Sequence, residues 1–116
     1  MAHPISSQIS PSMSAPPLDE SQVPTDARAV LEINLDALRA NWAHLNAVAG
    51  RAECAGVVKA DAYGLGLVEI AGALMREGCR TFFVATLHEG RRLRSVDPSA
   101  IIYILDGLLP GAEAHY

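Results

Sequence analysis

The stretch VVKADAYGLG, residues 57–66, places Lys59 directly after a run of apolar residues and just before a glycine-rich turn. A short apolar run is typical of a buried strand, so we expect Lys59 to lie at the end of one. There its ammonium group would lose water, which favours the neutral amine, a candidate nucleophile or base. Such an amine can form a Schiff base with an aldehyde. The alternative is a strand-end lysine whose long side chain simply reaches solvent.

The composition limits the classes of protein and partner to consider. The chain has 116 residues, 50% of them hydrophobic, and a net charge of −4, which suits one modest domain. Without an extended basic run, no nucleic-acid partner is expected. No apolar segment approaches the roughly 20 residues of a membrane span, so no membrane partner is expected either. Cys54 and Cys79 have neither metal-ligand nor disulfide-framework spacing, which suits a reducing compartment, and we expect the cytoplasm and no metal.

The first 26 residues differ from the remainder of the chain. Residues 1–26 are rich in serine and proline and cannot bury enough apolar surface to offset the entropy of ordering. They also lack the charged and apolar regions of a secretory signal. We therefore expect a disordered tail over residues 1–26 and a folded segment over residues 27–116.

From residue 29 onward, apolar segments alternate with amphipathic ones. The pattern predicts four strands separated by three helices, in the order β-α-β-α-β-α-β. The predicted strands cover residues 29–33, 54–59, 81–85 and 101–105. Strands connected in this way form a parallel sheet, and the active residues of such folds lie at the carboxyl ends of the strands. Lys59 falls at such an end.

Local capping signals mark the predicted helices. Asn34 is a favoured N-cap for the helix that follows it, and Gly50 and Gly78 are typical stop residues. Thr86, with Glu89 three residues later, forms the pattern of a capping box. These signals fix the expected helix ends independently of the hydrophobic pattern.

The ten residues around Lys59 closely resemble the pyridoxal-phosphate attachment motif of alanine racemases. Upstream, EINLDALRAN at residues 32–41 resembles the first strand and helix of that family. Downstream, residues 83–85 with Glu89, and residues 104–107 before Pro110-Gly111, are similar to positions that follow the motif. The similarity extends over about residues 29–115, and four such segments in order argue against chance.

The resemblance implies a fold and a site. The fold would be α/β, the first half of a (β/α)8 TIM-type barrel with four parallel strands, preceded by the disordered tail. The cofactor would be pyridoxal 5'-phosphate, whose ring acts as an electron sink for the substrate α-carbon. Lys59 would hold the cofactor covalently and, once freed, would be one of two bases acting on that carbon. Tyr63 would hydrogen-bond the cofactor phosphate.

Two departures from the family pattern qualify this expectation. The residue between Gly64 and Gly66 is commonly histidine in the family and is Leu65 here, which we expect to have a local effect only. The family also has an eight-stranded barrel followed by a β-rich domain, of which this chain would supply about four strands. The second base, a tyrosine from the partner subunit, most phosphate ligands and the arginine facing the pyridine nitrogen have no counterpart in these residues.

The expected function is interconversion of L- and D-alanine for peptidoglycan precursors, with alanine as substrate and a homodimer as the full-length form. The alternatives are a non-catalytic truncated fragment and a serine or broad-specificity racemase of the same fold. A decarboxylase or a cofactor-carrier protein is a further alternative, against which the run ADAYG after Lys59 argues. For Tyr63 the alternative is a ring that packs at the strand end. For Asp61 a hydrogen-bonding loop role is favoured over that of a catalytic acid.

Overall fold

The structure, a computed structural model, describes residues 19–116. Most of the predicted disordered tail, residues 1–26, lies outside the described residues. Within its last part, Glu20–Gln22 forms a 3-10 helix, and the Asp19 side chain accepts a hydrogen bond from the Ser21 N–H at 3.0 Å. This amino-terminal unit ends at Glu32, and a second unit, Ile33–Tyr116, contains the sheet.

The second unit alternates helices and strands. Its helices are α1 (Leu35–Ala49), α2 (Leu67–Glu77) and α3 (Leu87–Val96), and its strands are β1 (Gly56–Val57), β2 (Thr81–Val84) and β3 (Ile101–Ile104). One helical turn, Lys59–Tyr63, follows β1, and a 3-10 helix, Glu113–His115, lies near the last residue. The strands are parallel and ordered β1-β2-β3, so each strand pairs with the one before it in the sequence. This confirms the predicted parallel α/β architecture.

The prediction of four strands is wrong: the described residues contain three. Residues 29–33, predicted as the first strand, pair with no strand of the sheet. Their apolar side chains are exposed, Leu31 to 73% and Val30 to 49%. Alternation of apolar residues is a local property, whereas a strand is stable only when a neighbouring strand accepts its backbone hydrogen bonds. Lys59 therefore follows the first strand of the sheet and not the second.

The predicted helix ends are confirmed. The Asn34 side chain accepts from the Ala37 N–H at 2.8 Å and starts α1. Gly78, with φ of 112°, ends α2, a conformation that favours glycine because it has no Cβ. Thr86 and Glu89 form a complete capping box at the start of α3.

The core lies between the sheet and its helices. Phe82 and Val84 of β2, Leu67 of α2 and Leu93 of α3 are all fully buried. Gly56 of β1 packs so closely that a Cβ atom there would lie 3.0 Å from the Phe82 ring. The helices therefore cover one face of the sheet, and Phe82 is central to the contact.

The opposite face of the sheet is open. The strand register aligns Val57, Phe83 and Tyr103 in one row across the three strands, so that they project to the same side. The rings of Phe83 and Tyr103 stack with centroids 5.0 Å apart, and Tyr103 remains 52% exposed. Helices on one face and exposed apolar residues on the other are the arrangement of an arc of a (β/α) barrel, whose inner face further strands complete.

Among residues 19–116 no helix has the length and apolar character needed to cross a membrane.

Candidate functional site

Lys59 lies at the carboxyl end of β1, as the sequence predicts. The N–H of Val58 donates to the carbonyl oxygen of Phe83 at 2.9 Å, so the ladder between β1 and β2 continues to the residue before the lysine. Lys59 itself is half-buried. Within residues 19–116 its ammonium group forms neither an ion pair nor a hydrogen bond. The amine is therefore available to a ligand at the edge of the sheet where barrel enzymes bind substrates.

The four residues after Lys59 form a left-handed helical turn. Ala60, Asp61, Ala62 and Tyr63 have φ between 52° and 57°, and the first three have ψ between 46° and 48°. For L-residues this conformation costs about 1–2 kcal/mol each, because Cβ approaches the following carbonyl oxygen. Nothing in the sequence indicates it, since only one of the four is a residue that visits this region readily. Consecutive strained residues of this kind cluster at functional sites.

Backbone hydrogen bonds close the left-handed turn. The N–H of Ala62 donates to the Val58 carbonyl at 3.0 Å, and the N–H of Gly64 donates to the Ala60 carbonyl at 2.9 Å. The N–H of Gly66 then donates to the Asp61 carbonyl at 2.9 Å. Lys59 is thus held between the sheet on one side and a closed turn on the other.

Asp61 joins the left-handed turn to two helices. Its Oδ1 accepts from the Leu67 N–H, the start of α2, at 3.0 Å and pairs with Arg92 of α3 at 3.0 Å. The Leu67 hydrogen bond, with a smaller contribution from Arg92, lowers the pKa of the Asp61 carboxyl below its ordinary value. Both contacts hold the loop in place, as expected for a hydrogen-bonding loop residue.

Glu89 contacts the left-handed turn from α3. Its Oε2 accepts from the N–H groups of Ala85 at 2.8 Å and Thr86 at 3.3 Å, while its Oε1 accepts from the Asp61 N–H at 3.3 Å. Partial burial raises the pKa of Glu89, but the backbone donors, Ala85 first, outweigh it and the net pKa is lowered. The N–H of Ala60 adds to this lowering without the geometry of a full hydrogen bond.

Tyr63, the second predicted site residue, ends the same turn that begins at Lys59. Its side chain is 64% exposed, and its hydroxyl has no hydrogen-bond partner within residues 19–116. Its ring borders an apolar groove of about 270 Å³ between α1 and β1, lined in part by Leu38, Trp42 and Val57. The hydroxyl is therefore free to donate to a ligand, and the phosphate role stays a prediction.

The sequence singles out Lys59 and Tyr63 as candidates, but it does not indicate the contacts of Glu89 and Arg92 with the left-handed turn. The capping-box spacing did single out Glu89, but a helix cap accounts for only one of its carboxylate oxygens. Nothing in the sequence relates Arg92 to Asp61. No group of histidine, cysteine or acidic residues in the described part of the chain is arranged to hold a metal ion.

Replacing Ala60 with glycine tests the left-handed turn. Glycine removes the left-handed strain, about 1–2 kcal/mol, but loses about 0.5–1 kcal/mol to the greater freedom of the unfolded chain. We expect the free energy of unfolding, measured by urea denaturation, to stay constant or to rise by up to about 1.5 kcal/mol. The matched control is Ala40→Gly at an exposed position of α1, which should lose about 1 kcal/mol. Equal losses at both positions would contradict a left-handed Ala60.

The family model described as "Alanine racemase, N-terminal domain" matches residues 33–116. This chain belongs to that family. The match begins where the second structural unit begins and includes Lys59, the left-handed turn and Glu89.

Curated alanine racemases are also similar to this chain. The alanine racemase of Methylobacterium sp. (strain 4-46) is 56% identical over 88 residues, which are 76% of this chain and 24% of that protein. A catabolic alanine racemase of Mesorhizobium japonicum is 53% identical over 88 residues, and a biosynthetic one of Agrobacterium fabrum is 44% identical over 97. The chain therefore spans about a quarter of the length of these relatives.

A solved structure shares the fold. The crystal structure of alanine racemase from Bartonella henselae, described as carrying covalently bound pyridoxal phosphate, superposes with a TM-score of 0.67 at 44% sequence identity. The superposition covers 71% of this chain and 23% of the Bartonella chain. At this identity the likeness places the three strands in the amino-terminal part of an alanine racemase barrel.

Proposed function

We propose that the protein to which this chain belongs is a pyridoxal-phosphate-dependent alanine racemase, with Lys59 as the residue that holds the cofactor. The observation that carries the proposal is the placement of Lys59, a half-buried amine without an ion pair in the described residues, at the carboxyl end of β1. The relative of known structure with covalently bound pyridoxal phosphate is 44% identical to this chain, which supports the same cofactor here.

The residues present fit this cofactor. Its aldehyde requires a primary amine, and Lys59 supplies one whose ammonium group is not committed elsewhere in residues 19–116. Its phosphate requires hydrogen-bond donors, and the exposed Tyr63 hydroxyl is one. When bound, the cofactor supplies an electron sink for negative charge on the substrate α-carbon.

The protein's own task is to move a proton. In the proposed mechanism the Lys59 amine takes or returns a proton at the α-carbon from one side. Racemisation also needs an acid or base on the opposite side, because a single group would return the proton to the face it left. We assign that second role to a tyrosine of the partner subunit in a homodimer, outside the residues of this chain.

The proposed substrate is alanine and the proposed setting is the cytoplasm, where D-alanine would serve peptidoglycan synthesis. A relative named catabolic is 53% identical to this chain and one named biosynthetic is 44% identical, so the proposal concerns the reaction and not its metabolic direction. A serine or broad-specificity racemase of the same fold remains the competing function.

The test is a racemisation assay on the protein expressed from the complete gene. With pyridoxal phosphate present, chiral chromatography should show L-alanine converted to D-alanine, and L-serine in a parallel reaction should turn over more slowly. Faster turnover of serine would favour the competing function, and turnover of neither would contradict the proposal. Residues 1–116 expressed alone should not racemise alanine. Activity of this segment would contradict the assignment of the second base to a residue outside it.

A further inference from the structure

The N–H groups at the start of the left-handed turn require hydrogen-bond acceptors from elsewhere in the fold. The first N–H groups of any helical turn have no acceptor within the turn itself. In this turn the Asp61 N–H, two residues after Lys59, is met by Glu89 Oε1 at 3.3 Å, and no other acceptor lies within hydrogen-bond distance in the described residues. The partner is on α3, 28 residues away in sequence, so this contact is tertiary and not local.

The carboxylate of Glu89 has two separate duties. Its Oε2 accepts from the Thr86 N–H of the capping box and from the Ala85 N–H just before it, and its Oε1 accepts from the Asp61 N–H. A helix cap alone would need only one acceptor oxygen. Through the second oxygen, Glu89 connects α3 to the residues that follow Lys59. The Arg92–Asp61 ion pair at 3.0 Å, one turn further along α3, connects the same two segments.

We propose that Glu89 is a positioning residue for Lys59: through its hydrogen bond to Asp61 it holds the left-handed turn that fixes the backbone beside the cofactor-binding lysine. The inference rests on the proposed function for its catalytic consequence, but the structural contact can be tested without cofactor. A glutamate is needed because N–H donors face both of its carboxylate oxygens: Ala85 and Thr86 at Oε2, and Asp61 at Oε1. A glutamine of the same shape has one acceptor oxygen and must turn its NH₂ group towards donors at one side.

The experiment compares Glu89→Gln with Thr86→Ala in the protein expressed from the complete gene. Thr86→Ala removes the other half of the capping box and leaves the Glu89 contact with Asp61 in place. Circular dichroism of both variants is the check that they fold. In cofactor-free protein, hydrogen exchange of the Asp61 amide should be about 10-fold to 100-fold faster in Glu89→Gln, the range expected for a lost charge-assisted hydrogen bond. Thr86→Ala should leave that rate unchanged.

The catalytic readouts follow from positioning. In Glu89→Gln the dissociation constant for pyridoxal phosphate should rise and kcat should fall, each on the order of 10-fold, because a misplaced reacting group loses rate steeply. KM for alanine should change by less than about 3-fold, since Glu89 touches no substrate-binding group. If Glu89→Gln and Thr86→Ala changed the cofactor dissociation constant and kcat equally, Glu89 would act only as a helix cap, and the proposal would be overturned.

The wild-type protein gives a check that needs no variant. The Asp61 amide should exchange at least about 10-fold more slowly than the Glu53 amide, which has no acceptor within residues 19–116. Equal exchange rates at Asp61 and Glu53 would show that Glu89 does not protect the Asp61 amide. If the wild type neither binds pyridoxal phosphate nor racemises alanine, the proposed function fails, while slow Asp61 exchange that is lost in Glu89→Gln still upholds the contact.

Discussion

Replacing Lys59 with alanine should remove covalent binding of pyridoxal phosphate and reduce alanine racemisation by at least about 10³-fold, because one change removes both the attachment point and one proton-transfer group. In the protein from the complete gene, the absorbance band of lysine-bound cofactor should be lost. Lys59 is the only lysine in the 116 residues, so reduction with borohydride should mark a single peptide of this region.

Lys59→Arg is the matched control for this prediction. Arginine keeps the positive charge at the end of β1 but stays protonated and cannot condense with an aldehyde. Both variants should therefore lack the cofactor band, while Lys59→Arg alone retains electrostatic affinity for the phosphate group. A Lys59→Ala protein that still bound pyridoxal phosphate covalently would show that another residue holds it.

Replacing Phe82 with alanine should lower the free energy of unfolding by about 3–5 kcal/mol, the range for truncation of a large buried aromatic residue. Phe82 is fully buried at the centre of β2, and its ring lies against Gly56, where a Cβ would be 3.0 Å away. Urea denaturation of the protein from the complete gene measures the change.

A double-mutant cycle tests the contact between Gly56 and Phe82 directly. Gly56→Ala alone should destabilise the protein, because its methyl group would press on the Phe82 ring and on Leu74, 3.1 Å away. In the Phe82→Ala background the same methyl group enters the space that the ring has left. We expect a coupling of at least about 0.5 kcal/mol between the two positions, and additive effects would show that they are not in contact.

Those features that depend on neighbouring residues could be predicted from the sequence. Asn34, Gly78 and the Thr86–Glu89 pair set helix ends through local hydrogen bonds and local backbone freedom, and all three are confirmed. The position of Lys59 at a strand end also follows from the apolar run before it. Each of these signals acts over four residues or fewer.

Features that depend on distant partners could not be predicted. Residues 29–33 alternate as a strand does, but pairing depends on residues elsewhere, and they form none of the sheet. Ala60 and Ala62 favour right-handed helix by propensity, so their left-handed conformation has to be imposed by contacts from outside the turn. Glu89 is 28 residues from Asp61, and no local sequence pattern indicates a hydrogen bond over that separation.

The strand order β1-β2-β3 has a consequence for synthesis on the ribosome. β2 pairs with β1 and β3 pairs with β2, so each pairing becomes possible as soon as the later of the two strands has been translated. At about 5–20 residues per second, the 28 residues between Asp61 and Glu89 take roughly 1–6 seconds to translate. The groups that shape the backbone around Lys59 are thus all made before residue 116 is added, so the nascent chain can form this part of the site first.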